Sequence, residues 1–546
     1  MRPHWKSLTV SSNIEFLSEK VMHTGKRISN IVSIGDPMLF PRLFKQAVAR
    51  TPDRTAVVNI ETGREATYAE LAEKTYSIAT GLRENGVEKG DRVGICMGNR
   101  MEHITLFLAT QMIGAVFTSF NFRETTEGVK YHVSDSGADI LFFDELSQEA
   151  VEGAEDDLDV ESVYVGNNPP AFAEKIGKYQ HPSPNEPEIV VDSDDLSVLQ
   201  YTSGTTGNPK GVPLDHRATT ARIIVNAMGQ RYYLGETMIG AMPIYHGIGL
   251  HGILCNVLSL SGTYLTMLDY DPEQAVRAIS EYSVTALHEA PTIYRNLLDT
   301  DAIEDVSVDS VSKISYSGAP MSTSLFDEVL DVFEPDHISN AYGSTEVYGS
   351  LAYMNLKDIG DPAVCGPAGI FIQTRIVEPD SDDPTAEVPS GEEGELIINT
   401  DSPVAFDEYW NKPQETAEAI HNGWLFTGDA ARETENGNTI ITGRTDDMII
   451  SGGENIHPSN VEDILASHPN VVDVGVVGTP DEQWGETVTA FVVVTDDVTE
   501  EDLDHWCLNS DELPDFKRPR NYIFVDELPR NPSGKVLRYK LRENYD

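Results

Sequence analysis

The sequence predicts an α/β protein, with a large N-terminal domain of layered sheets and helices followed by a small α+β C-terminal domain. Three observations carry this. Strand-like and helix-like stretches alternate from about Phe40; near residue 396 the pattern turns to shorter strands with polar turns; and a last block from GRTDDMII onward mixes two strand-like runs with two helix-like ones. Alternation of that kind lays helices over largely parallel sheets. A chain of 546 residues also exceeds one ordinary core, so at least two domains are expected.

Taken in order, residues 1–35 show no strong period and read as an N-terminal extension. VEKGDRVGICMG (87–98) reads as a turn and a strand, HITLFLATQMIG as a helix, and GADILFFD (137–144) as another strand. Two uncharged runs, 104–122 and 248–268, are long enough to cross a bilayer. The first is broken by Gln111 and Gly114 into a helix-like and a strand-like half, and the second carries His251, Asn256 and a Ser-Gly turn, so both are expected in the core. VVDVGVVG (471–478) and VTAFVVV (488–494) read as strands, beside helices from Pro458 to about 468 and near 501–508. The expected domains are 36–445 and 446–546, with no internal repeat.

Charge excludes one class of partner. With 89 Asp and Glu against 39 Lys and Arg, the net charge is −50, and such a surface repels a nucleic-acid backbone. The acid is spread along the chain, as in AEDDLDVE and EPDSDDP, which reads as a solvated surface adapted to high salt rather than a focused docking patch. Cys96, Cys255, Cys365 and Cys507 form no CxxC pair, so a reducing compartment and no metal cluster are expected. The basic N-terminus lacks the apolar run of a secretory signal. Together these point to a cytoplasmic, halophilic protein, and leave the oligomeric state open.

The chemistry starts at YTSGTTGNPKG, residues 201–211, which follows the strand-like VLQ. Glycines let backbone N–H groups approach an anion, hydroxyls add donors and lysine adds charge, which makes a phosphate cradle. The spacing differs from the G-x-x-x-x-G-K-[ST] loop of common NTPases. Eleven residues in this order resemble the signature loop of the adenylate-forming superfamily, and further motifs of that family follow in sequence: SYSGAP (315–320), AYGSTE (341–346), GWLFTGD (423–429), GRTDDMIISGGENIHP (443–458) and PRNPSGKVLR (529–538).

The resemblance implies site residues. Thr202, Ser203, Gly204, Thr205, Thr206, Gly207 and Lys210 would cradle the phosphates of ATP; Ser317, Gly318 and Ala319 would flank adenine; the Tyr342 ring, beside Gly343, would lie against it. Thr345 would reach the α-phosphate, Glu346 would hold Mg2+, Asp429 would take the ribose hydroxyls, and Arg444 would contact ribose and phosphate. Lys535 and Thr202, with Glu346, would carry the adenylation step. A carboxylate suits a vicinal diol because it accepts two hydrogen bonds, and one hard oxygen ligand suits Mg2+ on a nucleotide. Taken singly, each would be an ordinary turn or surface residue; five ordered motifs outweigh that.

The family's C-terminal domain is mobile and turns between two half-reactions about a hinge, here Asp446. The C-terminal block is most similar to those of coenzyme A ligases of the 4-chlorobenzoate and medium- and long-chain fatty acyl types. By that likeness Gly452, Gly453, Asn455, Trp484, Phe516 and Arg518 would serve coenzyme A. Tyr245, His246 and Gly247, in MPIYHGIGLHGIL, would line the acyl pocket, and Ile244, Ile248, Leu250 and Ile253 favour an apolar tail. The expected function is therefore an AMP-forming ligase joining a fatty acid to coenzyme A. An aryl acid is the alternative; luciferase-like oxidation of the adenylate and a non-catalytic nucleotide-binding relative are the rivals. The retention of Lys535, Glu346 and Asp429 argues against the last.

Overall fold

A computed structural model describes residues 38–202, 208–349, 351, 354–379, 381–452, 454–481, 483–495, 498–510, 513–530 and 536–543. Ser203, Gly204, Thr205, Thr206, Gly207, Gly453 and Lys535, and the expected extension 1–35, lie outside the described residues.

Two seven-stranded sheets form the bulk of the chain. The first runs, in spatial order, Glu174–Lys175, Glu161–Tyr164, Ile140–Phe143, Arg92–Cys96, Val116–Ser119, Leu196–Tyr201 and Gly211–Asp215. The second runs His337–Asn340, Lys313–Tyr316, Ala286–Glu289, Thr237–Ile239, Thr263–Thr266, Thr55–Asn59 and Arg64–Thr67. Both are parallel except for an antiparallel hairpin at one edge. Beyond that hairpin the strand order matches: the second strand of each five-strand segment sits beside the hairpin, then the first, third, fourth and fifth. The structure thus contains a duplicated topology where the sequence shows no repeat.

The two uncharged runs are core, as expected. Met101–Ile113 is a helix buried along its whole length from His103 to Ile113, stopped by Gly114 in the left-handed conformation (φ 81°), and Val116–Ser119 is a strand of the first sheet. The second run forms a π-helical turn, Ile248–Leu254, then Cys255–Ser259 and the strand Thr263–Thr266. Among the described residues no helix is long and apolar enough to cross a membrane.

A third, antiparallel sheet joins Val364–Gly366, Thr439–Arg444, Trp424–Glu433, Glu393–Asn399 and Thr374–Val377. A fourth is built from Glu454–Ile456, Ile449–Ser451, Gly485–Val494 and Val471–Asp481, with Asn521–Phe524 parallel to Gly485–Val494. Its helices are Pro458–Ala466, with proline in the first turn where the missing N–H is harmless, and Glu500–Leu508, capped by a Thr499/Asp502 box. These four elements fall where the alternation and apolar runs of the sequence placed them.

Candidate active site

The parallel strands set the site by ending together. Ala286–Glu289, Lys313–Tyr316 and His337–Asn340 are in register, with Glu289 opposite Tyr316 and Tyr316 opposite Asn340. SYSGAP and AYGSTE therefore leave the carboxyl ends of neighbouring strands, the edge where open α/β sheets bind ligands. In the first sheet, Leu196–Tyr201 delivers the glycine-rich loop, and Tyr201 pairs antiparallel with Gly211. The neck of that loop is closed twice: the Thr202 amide donates to the Lys210 carbonyl (3.0 Å) and the Lys210 amide to the Thr202 hydroxyl (3.1 Å). The Thr202 hydroxyl is thereby oriented with its own proton still available to an anion.

Lys210 and Glu346 are linked through a residue that no motif announced. The Lys210 ammonium lies 4.4 Å from the centre of the Tyr409 ring, and the Tyr409 hydroxyl donates to Glu346 Oε1 (2.7 Å). Glu346 keeps its second oxygen without a hydrogen-bond partner among the described residues. A single oriented carboxylate with one oxygen to spare fits Mg2+, which takes one or two carboxylates and completes its shell with phosphate oxygens and water.

Asp429 is held by two other expected site residues, Tyr342 and Arg444. Its carboxylate accepts a short hydrogen bond from the Tyr342 hydroxyl and an ion-paired one from Arg444 Nη1 (3.1 Å), its cross-strand neighbour in the third sheet. A carboxylate offers about four lone-pair directions, so two remain for a vicinal diol. Gly428 makes this possible: it sits at φ 68°, and a β-carbon there would strike the Arg444 guanidinium. Burial opposes the charge on Arg444, yet Asp429 and Asp446 flank it and hold the guanidinium protonated well above arginine's ordinary range. Burial and then Asp429 push the Tyr342 phenol well up, so it stays a donor. Arg444 Nε also donates to Asp446 (3.1 Å), tying the expected hinge residue to the site.

Ser317 Oγ is 3.2 Å from His288 Nε2, and a β-carbon on Gly318 would be 3.9 Å from Ile248 Cδ1, so SYSGAP abuts the 245–252 segment. Ala319 follows on the exposed side of the turn and Gly343 packs against the 347–349 backbone. His246 is driven to a pKa of about 4 by burial and is neutral. Gly247 faces Gln200 and Tyr348, whereas Tyr245 turns into a separate apolar cluster, edge-on to Phe122 at 6.0 Å. Ile244, Leu250 and Ile253 are fully buried in the main core and do not form a wall.

In the fourth sheet, the Gly452 amide donates to the Trp484 carbonyl (2.8 Å), and a β-carbon on Gly452 would lie 2.8 Å from the Trp484 ring. Strands Ile449–Ser451 and Asn521–Phe524 flank the same edge of Gly485–Val494, which places Trp484 and the 515–517 turn at one end of it. Trp484 and Phe516 are about half exposed, at 51% and 45%. Arg518 is not a free cation: it is paired with Asp504 and with Asp515 (3.1 Å). Asn455 pairs with Ile450 in its hairpin. No hydrogen bond or ion pair among the described residues joins Trp484, Phe516 or Arg518 to Tyr342, Glu346 or Asp429. The fourth sheet meets the third through His457 Nε2 on Glu393 (2.9 Å) and the Ser459 hydroxyl on the Thr442 carbonyl (3.0 Å).

Arg222 is the largest omission from the sequence reading. It is fully buried on helix His216–Gly229 and donates to the carbonyls of Val404 (3.0 Å), Thr345 (2.9 Å) and Glu346 (3.2 Å). Gln200, His288, Tyr348 and Tyr409 also line the site without belonging to a glycine-rich motif. The signal available for His288 was a histidine and a glutamate side by side in the buried strand ALHE, immediately before AP.

The model of the AMP-binding enzyme family matches residues 44–410, and that of the AMP-binding enzyme C-terminal domain matches 460–535. A 4-chlorobenzoate–CoA ligase from an Arthrobacter species is 35% identical over 512 residues, covering 90% of this chain and 93% of the relative. A feruloyl-CoA synthase from an Amycolatopsis species is 31% identical over 500 residues, covering 91% and 96%. The structure of the o-succinylbenzoate CoA synthetase MenE from Bacillus subtilis, in complex with its acyl-adenylate intermediate, superimposes with a TM-score of 0.79 at 26% identity, covering 92% and 98%.

Proposed function

The chain belongs to the AMP-binding enzyme family and is an acid–CoA ligase that uses ATP, Mg2+ and coenzyme A; from that premise we propose that the acid it activates is an aromatic carboxylate. The single observation that carries the choice is that three of the four apolar residues favouring a hydrocarbon tail, Ile244, Leu250 and Ile253, are buried in the core, with Ile248 partly buried against it, while the groups facing Gly247 and Gly252 are Gln200, Tyr348 and His288. That the relatives above are named for 4-chlorobenzoate, feruloyl and succinylbenzoate substrates supports the same class.

In this reading an oxygen of the carboxylate attacks the α-phosphorus of ATP, the bond to pyrophosphate breaks, and an acyl-adenylate remains. Asp429 holds the ribose diol on its two remaining lone-pair directions, with Tyr342 against adenine between Ser317–Gly318–Ala319 and Gly343. Thr202, Thr345, Lys210 and the 203–207 loop would supply donors to the phosphates, and Glu346 would hold Mg2+, whose charge would offset the repulsion where the two anions meet. Lys535 completes the charge for this step. The domain from 446 onward then turns about Asp446, and the thiol of coenzyme A attacks the acyl carbon, releasing AMP. Gly452 and Gly453, without side chains, would leave room for the pantetheine arm; Trp484, Phe516 and Arg518 would hold the nucleotide of coenzyme A, which requires Arg518 to exchange Asp504 or Asp515 for phosphate, and Asn455 would assist in this thioester-forming state.

The test is pyrophosphate release and acyl-CoA formation across benzoates, cinnamates and C6 to C16 fatty acids with ATP, Mg2+ and coenzyme A. We expect kcat/KM for the best aryl acid to exceed that of the best fatty acid by at least about tenfold, the scale at which pocket shape discriminates. A fatty acid at the top of the panel would return the assignment to the hydrocarbon class.

The charge of −50 gives a further expected result. At about 1 M salt the Debye length falls to about 3 Å, so repulsion among dispersed surface carboxylates is screened. The melting temperature should rise by more than about 5 °C between about 0.05 M and about 2 M KCl. A flat or falling dependence would show that the acidic surface is not a salt adaptation. The four cysteines are free and buried, which suits a cytoplasmic setting where ATP and coenzyme A are at hand.

A further inference from the structure

Behind Gly247 lies a group of buried polar side chains that the adenylation chemistry does not use. Gln200 is 2% exposed, and neither its Oε1 nor its Nε2 has a hydrogen-bond partner among the described residues. A β-carbon on Gly247 would sit 3.6 Å from both Gln200 Oε1 and the Tyr348 ring. Further along the same π-helical turn, a β-carbon on Gly252 would strike the Tyr348 hydroxyl and lie 3.2 Å from His288 Nδ1. That nitrogen is also without a partner, because His288 spends Nε2 on Ser317. His251, with neither ring nitrogen partnered, packs edge-on to the Tyr348 ring at 6.1 Å.

Two glycines, one tyrosine ring and three unsatisfied polar side chains thus line a single stretch that begins beside Gly318 and runs inward. Buried polar atoms of folded proteins nearly always have partners, and leaving one unmade costs about as much as the bond itself. Three such side chains in one place point to a partner that arrives with the ligand. The three side chains themselves offer an anion no charge. Burial pushes His288 to a pKa of about 3 and His251 well below its ordinary value, so both rings are neutral. The nearest cation among the described residues, Arg222, lies over the Tyr348 ring at 5.9 Å; its Nε and Nη2 are held by three backbone carbonyls, and its Nη1 is buried without a partner among the described residues.

We propose that the acyl subsite of this enzyme ends in a neutral hydrogen-bonding anchor formed by Gln200 and His288 across the Tyr348 ring, and that its acid therefore carries an uncharged polar substituent, of the hydroxyl type, away from the carboxylate. The inference rests on the reading of Gly247 and Gly252 as facing the acyl subsite, and it goes beyond the class of acid to the chemistry of its far end.

The experiment compares matched pairs on the full chain with ATP, Mg2+ and coenzyme A: 4-hydroxybenzoate against benzoate, and 4-hydroxycinnamate against cinnamate. The expected result is a kcat/KM ratio of about tenfold or more for the hydroxylated member of at least one pair, because a site built to bond a hydroxyl rejects the analogue lacking it. Gln200→Leu and His288→Phe should each bring that ratio toward unity. Equal rates within both pairs, or a ratio that survives in both substituted enzymes, would overturn the anchor while leaving the aromatic assignment standing. A higher kcat/KM for an acid ending in a second carboxylate, such as benzene-1,4-dicarboxylate, would overturn it too and move the anchor to Arg222. If only fatty acids are activated, the aromatic assignment falls and the anchor falls with it. Where one variant fails to fold, the wild-type ratio and the other variant still decide.

Discussion

Lys535→Ala is expected to lower the rate of pyrophosphate release by about 10²- to 10³-fold, the usual effect of removing one preorganised donor from a charge-developing site, while coenzyme A still consumes an acyl-adenylate supplied ready made. The reasoning is electrostatic. A carboxylate and a triphosphate must meet on a chain of net charge −50, and few cations among the described residues near them are uncommitted. Arg444 is paired with Asp429 and Asp446, and Arg222 is turned by its Nε and Nη2 onto backbone carbonyls, which leaves Lys210, over the Tyr409 ring, for the phosphates. Beyond Mg2+ and Lys210, a further charge has to come from elsewhere in the chain, and PSGKV at 532–536 carries the lysine for it. The second half-reaction has a neutral thiol attacking a carbonyl, so it does not need that charge. Measuring both half-reactions in the same variant separates the roles. If the supplied adenylate is also left unconsumed, or if pyrophosphate release is unaffected, Lys535 does not have the part assigned to it.

What the sequence disclosed and what it hid follow from the kind of constraint involved. Glycines, a proline and hydroxyls in a fixed order are legible because backbone geometry demands them locally, as at Gly428, where a β-carbon would displace Arg444. The apolar runs at 104–122 and 471–494 were legible because their periods differ. The duplicated sheets were not, since strand order is set by which edges pair. The hairpin of the first sheet, at 196–215, follows its five strands, whereas that of the second, at 55–67, precedes its five by more than 150 residues. No sequence period survives that rearrangement. The stretch 244–253 misled for a related reason: an apolar residue reads the same whether it lines a pocket or fills the core, and Ile244, Leu250 and Ile253 fill the core. Gln200 and His288 carry no motif; their buried polar atoms without partners, both amide atoms of Gln200 and Nδ1 of His288, mark them in the structure.

Arg222→Leu is expected to cost about 2–4 kcal/mol of stability and to weaken adenylation with it. Two effects oppose each other. Burial pushes the pKa of this guanidinium down, so removing its charge relieves a desolvation penalty, and buried ion pairs replaced on both sides by apolar groups can be neutral or stabilising. Here the partners are the carbonyls of Val404, Thr345 and Glu346, and no substitution at 222 can replace those, so the unmade bonds dominate. Because two of the three belong to AYGSTE, the clamp fixes the backbone that aims Glu346 at Tyr409 and, in the proposed mechanism, at Mg2+. Arg222 acts as a positioning residue, and its loss should appear as a raised Mg2+ requirement for pyrophosphate release as well as a lower unfolding midpoint. Arg222→Lys, which restores the charge but bonds at one point instead of a fork, should recover only part of each. An Arg222→Leu enzyme as stable as the wild type would rule out the clamp. Lower stability with an unchanged Mg2+ dependence would confine Arg222 to holding the fold.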